Sequence, residues 1–314
     1  MAENTVPTLT IFTPAYNRAH TIGRTYESLL CQSCKDFEWL VVDDGSTDNT
    51  RSLVEGWISE GKIPIRYVYQ QNQGMHGAHN GAYANIYTEL NVCIDSDDFM
   101  PRDAVEKIIT FWRANYRPED KDKIAGIIAL DADTEGNIIG DTFPPELKQT
   151  TLRGYLETHK GKGDKKLVYR TEVVKKYPPY PIFEGEKYVG LPYLYCMIDL
   201  DYELLTLNEV LVNVDYQPDG SSYGMWRQYW NNPKGLAFYR KFDMQQATTF
   251  KHRLLNNIHY VNHSIRGKNK RFLAESPQKF LTFISIPAGL VLYFINKRKV
   301  RQGAQFNAKI KKKE

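Results

Sequence analysis

Four cysteines in 314 residues, Cys31, Cys34, Cys93 and Cys196, are too few for a disulfide framework, so a reducing compartment is expected. Cys31 and Cys34 form a C-x-x-C. With no second pair and no Cys/His pair downstream, two ordinary helix cysteines are expected rather than half of a zinc site. The opening MAENTVPTLTIF has no basic leader followed by an apolar stretch, so no secretory signal is expected. Long apolar runs are also scarce. The uncharged stretch 280–295 (FLTFISIPAGLVLYFI) has sixteen residues and contains Pro287 and Gly289, whereas a spanning helix needs about 20. There is no G-x-x-x-x-G-K-[ST] and no G-x-G-x-x-G after the first apolar run, so neither common phosphate-cradling loop is available. No internal repeat and no long low-complexity tract occurs.

The composition that remains is that of a globular protein, 42% hydrophobic and 13% aromatic. Its formal charge of +4 is unevenly spread. Residues 266–314 carry 13 Lys+Arg against 2 acids, while residues 1–265 carry 28 against 35. An acidic body thus bears a basic tail.

Short apolar runs at 8–13, 37–42, 65–69 and 92–94 alternate with helical spacing at 21–32, at Leu53, Val54, Trp57 and Ile58, at 74–87 and at 104–112. This order predicts an α/β fold, a mostly parallel Rossmann-like sheet with helices on both faces. Ile124 to Leu130 is a further strand, and Glu135-Gly136-Asn137 marks a hairpin. Residues 143–190, rich in Pro, Gly, Lys and Tyr, read as loops, and Leu204 to Asp215 as a helix-to-strand unit. From Trp226 the pattern is helical. In parallel sheets the ligand crevice lies beyond the carboxyl ends of the strands. The polar clusters 13–17, 43–48, 72–80 and 95–98 all fall there.

In LNVCIDSDDFMP an apolar strand ends in Asp95, Asp97 and Asp98. Carboxylates this close raise one another's pKa, and a divalent cation removes that penalty. Oxygen-only ligands suit magnesium or manganese, whose remaining coordination comes from substrate phosphates. The alternative is a solvated turn, or a cap for the helix at Asp103. A second acidic pair, Asp43 and Asp44, ends another strand, where helix capping needs one acid at most and Ser46, Thr47 or Asp48 already supplies it. Its carboxylates could accept from a pyrimidine ring N–H or from ribose hydroxyls.

TIFTPAYNRAHTI, FEWLVVDDGSTDNT, YQQNQGMHGAHNGA and CIDSDDFMP, in that order, resemble the successive motifs of family 2 glycosyltransferases with a GT-A fold. The resemblance covers residues 8–112 and continues more faintly to about 220. It implies a GT-A domain over 1–222, with a nucleotide-binding half (8–112) and an acceptor-side half (113–222), followed by a helical, basic region at 223–314.

By the same resemblance Thr13, Pro14, Tyr16 and Asn17 belong to the nucleotide pocket, and Asp44, with Asp43 beside it, binds uracil or ribose. Asn72, His79, Asn80, Asp95 and Ser96 join the donor site, and Asp97 and Asp98 hold the metal. Where many relatives read A-R-N, this chain reads Ala78-His79-Asn80, so phosphate contact would depend on a protonated His79. His76 and His79 read as polar helix-start residues rather than as zinc ligands.

The inverting reaction that the family implies needs a base for the acceptor hydroxyl. Glu186 is expected in that role, with Glu184 in reserve; Asp199 and Asp201 look more like turn groups. Tyr216 to Ser222 resembles a segment that closes over the site. The Q-x-x-R-W signature of processive synthases is absent, which favours transfer of one sugar.

The expected reaction moves a single sugar from a nucleotide-diphosphate donor, a uridine one by preference, to a glycan or lipid-linked acceptor in envelope or capsule assembly. The basic tail, 266–314, is expected to lie on the inner face of the cell membrane, or else to pack as a core helix with a solvated end. No nucleic acid partner is expected, because the basic run lacks a folded reading motif. Two rivals are a sugar nucleotidyltransferase, which would carry a Gly-rich, Arg-containing first loop absent here, and a non-catalytic nucleotide- or glycan-binding module.

Overall fold

The computed structural model describes residues 6–217 and 225–310, and the chain divides into two compact units. Unit 1 holds the chain up to Tyr180 together with Leu194–Gln217; unit 2 holds Pro181–Tyr193 and the chain from Pro218. Against the expected boundary at 222/223, the segment 181–193, with Glu184 and Glu186, groups with unit 2. Most of the expected closing segment, 218–222, lies outside the described residues.

The first half of unit 1 alternates as expected: β1 (Leu9–Ala15), α1 (Ile22–Leu30), β2 (Phe37–Asp43), α2 (Thr50–Glu60), β3 (Ile65–Tyr69), α3 (Met75–Asn85), β4 (Leu90–Cys93) and α4 (Ala104–Asn115). β5 (Ile124–Ala132), β6 (Gln149–Thr150), β7 (Lys165–Arg170), α5 (Thr171–Val174), α6 (Pro192–Ile198) and β8 (Glu203–Asn213) follow. The eight strands form one sheet in the order β3-β2-β1-β4-β7-β5-β8-β6. β3, β2, β1 and β4 are parallel, β7 runs antiparallel between β4 and β5, and β8 is parallel to β5.

The two-residue period of a strand explains the two layers. Leu9 and Ile11 of β1 and Trp39 and Val41 of β2 pack with Ile22, Leu29, Ile108 and Trp112 of α1 and α4. Phe12, Leu40 and Val42 point the other way, onto Ala78 and Ala82 of α3 and Ile86 just after it. Burial on both faces is why these strands read as continuous apolar runs.

Three expectations need correction. Residues 143–190 contain β7, an interior strand, and 204–215 holds no helix of its own, since β8 fills most of it and the helix before it, α6, ends at Ile198. On α2 only Thr50 and Val54 are buried, and Trp57 is partly so. Trp57 stacks on Tyr26 at 4.3 Å between ring centroids and on Trp39 at 5.9 Å, while Leu53 and Ile58 face solvent.

The helices of unit 2 are α7 (Met225–Asn231), α8 (Pro233–Gln246), α9 (Phe250–Arg266), α10 (Phe272–Glu275), α11 (Lys279–Ile284) and α12 (Ile286–Ile310). Pro287 does not break α12, because it stands in the first turn, where a missing N–H goes unnoticed. Gly289 lets α12 cross α9 closely, since a Cβ there would fall 2.5 Å from Val261 Cγ1. No helix among the described residues is long and apolar enough to cross a membrane.

Candidate functional site

Three loops at the carboxyl ends of β1, β2 and β3 are tied together by short polar bonds. Asn17, at φ +54°, accepts from Thr47 N–H at 2.8 Å, and its own N–H donates to Ser46 Oγ at 2.9 Å. Asp43, fully buried, accepts from Ser46 N–H at 2.7 Å and from Tyr67 O–H at 2.5 Å. Asp44 accepts from Gln73 N–H at 2.9 Å, Gly74 N–H at 2.7 Å and Gln70 Nε2 at 2.7 Å. Its carboxylate therefore shapes the loop that begins α3. Gly45 completes the junction, because at φ +84° a Cβ would meet Asn72 N at 2.9 Å.

β4 delivers the acids. Ile94 N–H still donates to Phe12 O at 2.9 Å, and the chain then turns, Asp98 N–H donating to Asp95 O at 3.1 Å. The turn is held from two sides. Thr25 Oγ1 donates to Asp98 O at 2.7 Å, and Asp215 N–H donates to Asp98 Oδ1 at 3.0 Å. Asp215 is itself ion-paired with Arg24.

Asp95, Asp97 and Asp98 each offer one carboxylate oxygen, and the three atoms lie within 4.8 Å of one another. Asp95 is exposed and Asp98 is buried. Burial first, and then the Asp95 charge, push the Asp98 carboxyl up to about 7. The same two causes raise Asp97. Three clustered carboxylates, two of them raised by burial and by Asp95, make a donor set that an oxygen-liganded divalent cation fits.

Two residues that sequence reasoning missed stand beside the acids. Lys166, on β7, lies 3.8 Å from Asp131, on β5. Burial works against the Lys166 charge, yet Asp131, Asp98 and Asp95 together raise its pKa above the ordinary lysine value. Asp131 is 2% exposed, and its Oδ1 has no hydrogen-bond donor. The antiparallel insertion of β7 between β4 and β5 brings this cation to the acids.

The other expected residues take varied places. Tyr16 is exposed at the rim, whereas Thr13 is buried and accepts from Trp39 Nε1 at 2.9 Å; Pro14 is buried beside it. Ser96 is buried within the acidic turn, and Asn72 lies against Gly45. Asn80 clips the backbone of Tyr180, its Nδ2 donating to Tyr180 O at 2.8 Å and its Oδ1 accepting from Tyr180 N–H at 2.9 Å.

His79 departs from the expected cation. It is 1% exposed, edge-on to Phe12, Tyr83 and Tyr180, with Nδ1 at 2.9 Å from Met75 O. Burial lowers its pKa, so the neutral ring is favoured and a charged phosphate contact is not.

Glu186 is a helix cap. Within unit 2 its two carboxylate oxygens accept from Lys234 N–H and Gly235 N–H, both at 2.9 Å, at the start of α8. Glu184 is exposed. Asp199 accepts from Leu152 and Arg153 N–H, and Asp201 accepts from Tyr177 O–H at 2.7 Å, so both are structural turn groups.

Residues 10–117 match the family model described as Glycosyl transferase family 2. An uncharacterized glycosyltransferase of Nostoc sp. is 26% identical over 203 residues, 62% of this chain and 61% of that protein. The chondroitin synthase of Escherichia coli is 34% identical over 141 residues, 44% of this chain and 19% of the synthase. The chain thus spans between about a fifth and three fifths of these two relatives. Among solved structures, S. aureus TarS 1–349 in complex with UDP-GlcNAc superposes with a TM-score of 0.57 at 17% identity, covering 94% of this chain and 92% of that one. A mannosyltransferase of Pyrobaculum calidifontis in complex with GDP-Man and Mn2+ gives 0.52 at 16% identity, covering 96% and 81%. The fold is the GT-A fold, and its nucleotide-side residues, 10–117, are those that match glycosyl transferase family 2.

Proposed function

We propose that the protein is an inverting, metal-dependent glycosyltransferase that moves one sugar from a nucleotide-diphosphate donor, by preference a uridine one, to a glycan or lipid-linked acceptor. The observation that carries the proposal is the gathering of Asp95, Asp97 and Asp98 at the carboxyl end of β4, beside the loops of β1 and β2, in a chain whose residues 10–117 match family 2. The two solved neighbours are in complex with UDP-GlcNAc and with GDP-Man, which supports a nucleotide sugar here.

In this reading Tyr16, Asn17, Asp43 and Asp44 form the nucleoside rim, and Asp95 and Ser96 face the ribose and diphosphate. A divalent cation, manganese or magnesium, held by Asp97 and Asp98 would supply charge neutralisation to the leaving diphosphate. Lys166 adds a fixed positive charge at the same place and keeps Asp131 and Asp98 compatible with burial. An acceptor hydroxyl attacks the anomeric carbon, the new C–O bond forms as the bond to the diphosphate oxygen breaks, and the hydroxyl proton passes to a carboxylate. Of the two glutamates expected as base, Glu186 has both oxygens bonded to backbone N–H groups at the start of α8, and Glu184 is exposed.

The reading includes a peripheral position at the cytoplasmic face of an anionic membrane, through the basic region 266–314, and a role in envelope or capsule polysaccharide assembly. The deciding experiment is a panel of nucleotide sugars assayed with and without Mn2+ for thermal stabilisation and for hydrolysis. Metal-dependent stabilisation by UDP and turnover of one UDP-sugar are expected. Equal stabilisation by every nucleotide with metal removed would sink the donor assignment.

A further inference from the structure

Unit 2 holds a cavity of about 270 Å³ that the sugar-transfer chemistry does not use. Its charged lining is entirely cationic: Arg240 of α8, Arg266 of α9 and Lys299 of α12, with His259 and His263 of α9 between them. The Nε atoms of Arg240 and Arg266 are buried and make no hydrogen bond. Other parts of both guanidiniums are engaged, Arg240 by Asn256 at 2.8 Å and Asp243 at 3.7 Å, and Arg266 over the Trp230 ring at 4.5 Å. Burial and the Arg240 charge lower His259 to about 4 and His263 to about 3, so the imidazoles are neutral and add no charge of their own. The rest of the wall sets Asn262 and Asn296 beside the apolar Leu236, Leu292, Ile295 and Val300.

An exposed apolar stripe runs beside the mouth. Leu290, Val291, Phe294 and Ile295 recur at helical spacing on α12, and Phe280, Phe283 and Ile284 of α11 extend the exposed surface. Ile295 belongs to both stripe and cavity wall, and the basic residues Lys297, Arg298 and Lys299 follow it by one turn. Exposed apolar residues leading into a basic end are the pattern of a helix lying in a lipid interface. Half-buried guanidiniums lining a cavity that also offers apolar side chains are the pattern of an anion site whose ligand also carries hydrocarbon.

We propose that this cavity takes the phosphate headgroup of an anionic membrane lipid, with Arg240 and Arg266 bonding the phosphate oxygens while the α12 stripe enters the acyl boundary. The inference rests on the peripheral-membrane part of the proposed function and gives it a defined headgroup site; it is independent of the sugar-transfer chemistry. The occupant is a lipid rather than free phosphate because charge and hydrocarbon are offered side by side.

The test uses the full chain and three measurements. Flotation with phosphatidylcholine vesicles, with and without phosphatidylglycerol, is expected to show binding only to the anionic ones. Arg240→Gln/Arg266→Gln is expected to weaken that binding roughly thirtyfold, the factor that two charges at about 1 kcal/mol each represent. A soluble short-chain phosphatidate is expected to raise the melting temperature where inorganic phosphate does not. A photoreactive version of that phosphatidate is expected to label the peptides carrying Arg240 and Arg266, a readout that needs no variant to fold. Unchanged vesicle binding by the double variant, with labelling elsewhere, overturns the cavity and leaves the membrane reading standing. Absence of both vesicle binding and labelling overturns both, and metal-dependent UDP stabilisation in the same preparation would show that the glycosyltransferase reading survives.

Discussion

Replacing Asp98 by Asn makes the metal-free protein more stable above neutral pH. Asp98 is 3% exposed, and burial and Asp95 push its carboxyl up to about 7. The unfolded chain would ionise it near the ordinary aspartate value, about 3.9. Because the folded value is the higher one, folding is least disfavoured below about pH 4, and stability falls as the pH rises through about 7. Three pKa units correspond to on the order of 4 kcal/mol of lost stability in the fully ionised state, an upper bound that metal binding would return. Asn keeps the oxygen that accepts from Asp215 N–H and removes the charge.

The assay is melting of both proteins in a chelating buffer at several pH values between about 5 and 8. For a unit of this size 1 kcal/mol moves the midpoint by about 2–4 °C, so Asp98→Asn should lead by as much as roughly 8–16 °C at the alkaline end. The lead should shrink toward the acid end, and added Mn2+ should stabilise the parent only. A constant difference across the range, or a less stable variant at every pH, would refute the view that Asp98 is a strained anion awaiting a cation.

Lys166→Met removes the ion-pair partner of buried Asp131 and is expected to cost about 3–5 kcal/mol in urea unfolding, with most of the loss recovered in Lys166→Met/Asp131→Asn. Glu186→Gln keeps one acceptor oxygen for two helix amides, so unit 2 should lose about 1–2 kcal/mol while UDP affinity stays unchanged; full stability with abolished turnover would restore Glu186 as the base. Trp39→Ala empties the stack with Tyr26 and Trp57 and should destabilise unit 1 by about 3–5 kcal/mol, and a loss below about 1 kcal/mol would contradict its place in the core.

Much of unit 1 can be read from the chain because β1, β2 and β4 are buried on both faces and therefore appear as apolar runs ending in polar loops. The acids after β4 stand out for the same reason: three carboxylates directly follow a strand with no solvated linker. β7 is hidden because its first residues, Lys165 and Lys166, look like surface. Only the antiparallel insertion between β4 and β5 reveals that Lys166 is matched by Asp131 and Asp98. His79 illustrates the opposite error, since its polarity in sequence conceals an aromatic environment of Phe12, Tyr83 and Tyr180. Glu186 is similar, because a capping partner forty-odd residues away leaves no local signal.

The measurement closest to the central claim is a titration of Mn2+ into the protein followed by the paramagnetic resonance of the free ion, with and without UDP. The account predicts one ion taken up per chain, more tightly when UDP is present, and loss of that uptake in Asp97→Asn. Uptake by Asp97→Asn equal to that of the parent, or UDP binding that is indifferent to the metal, would contradict it.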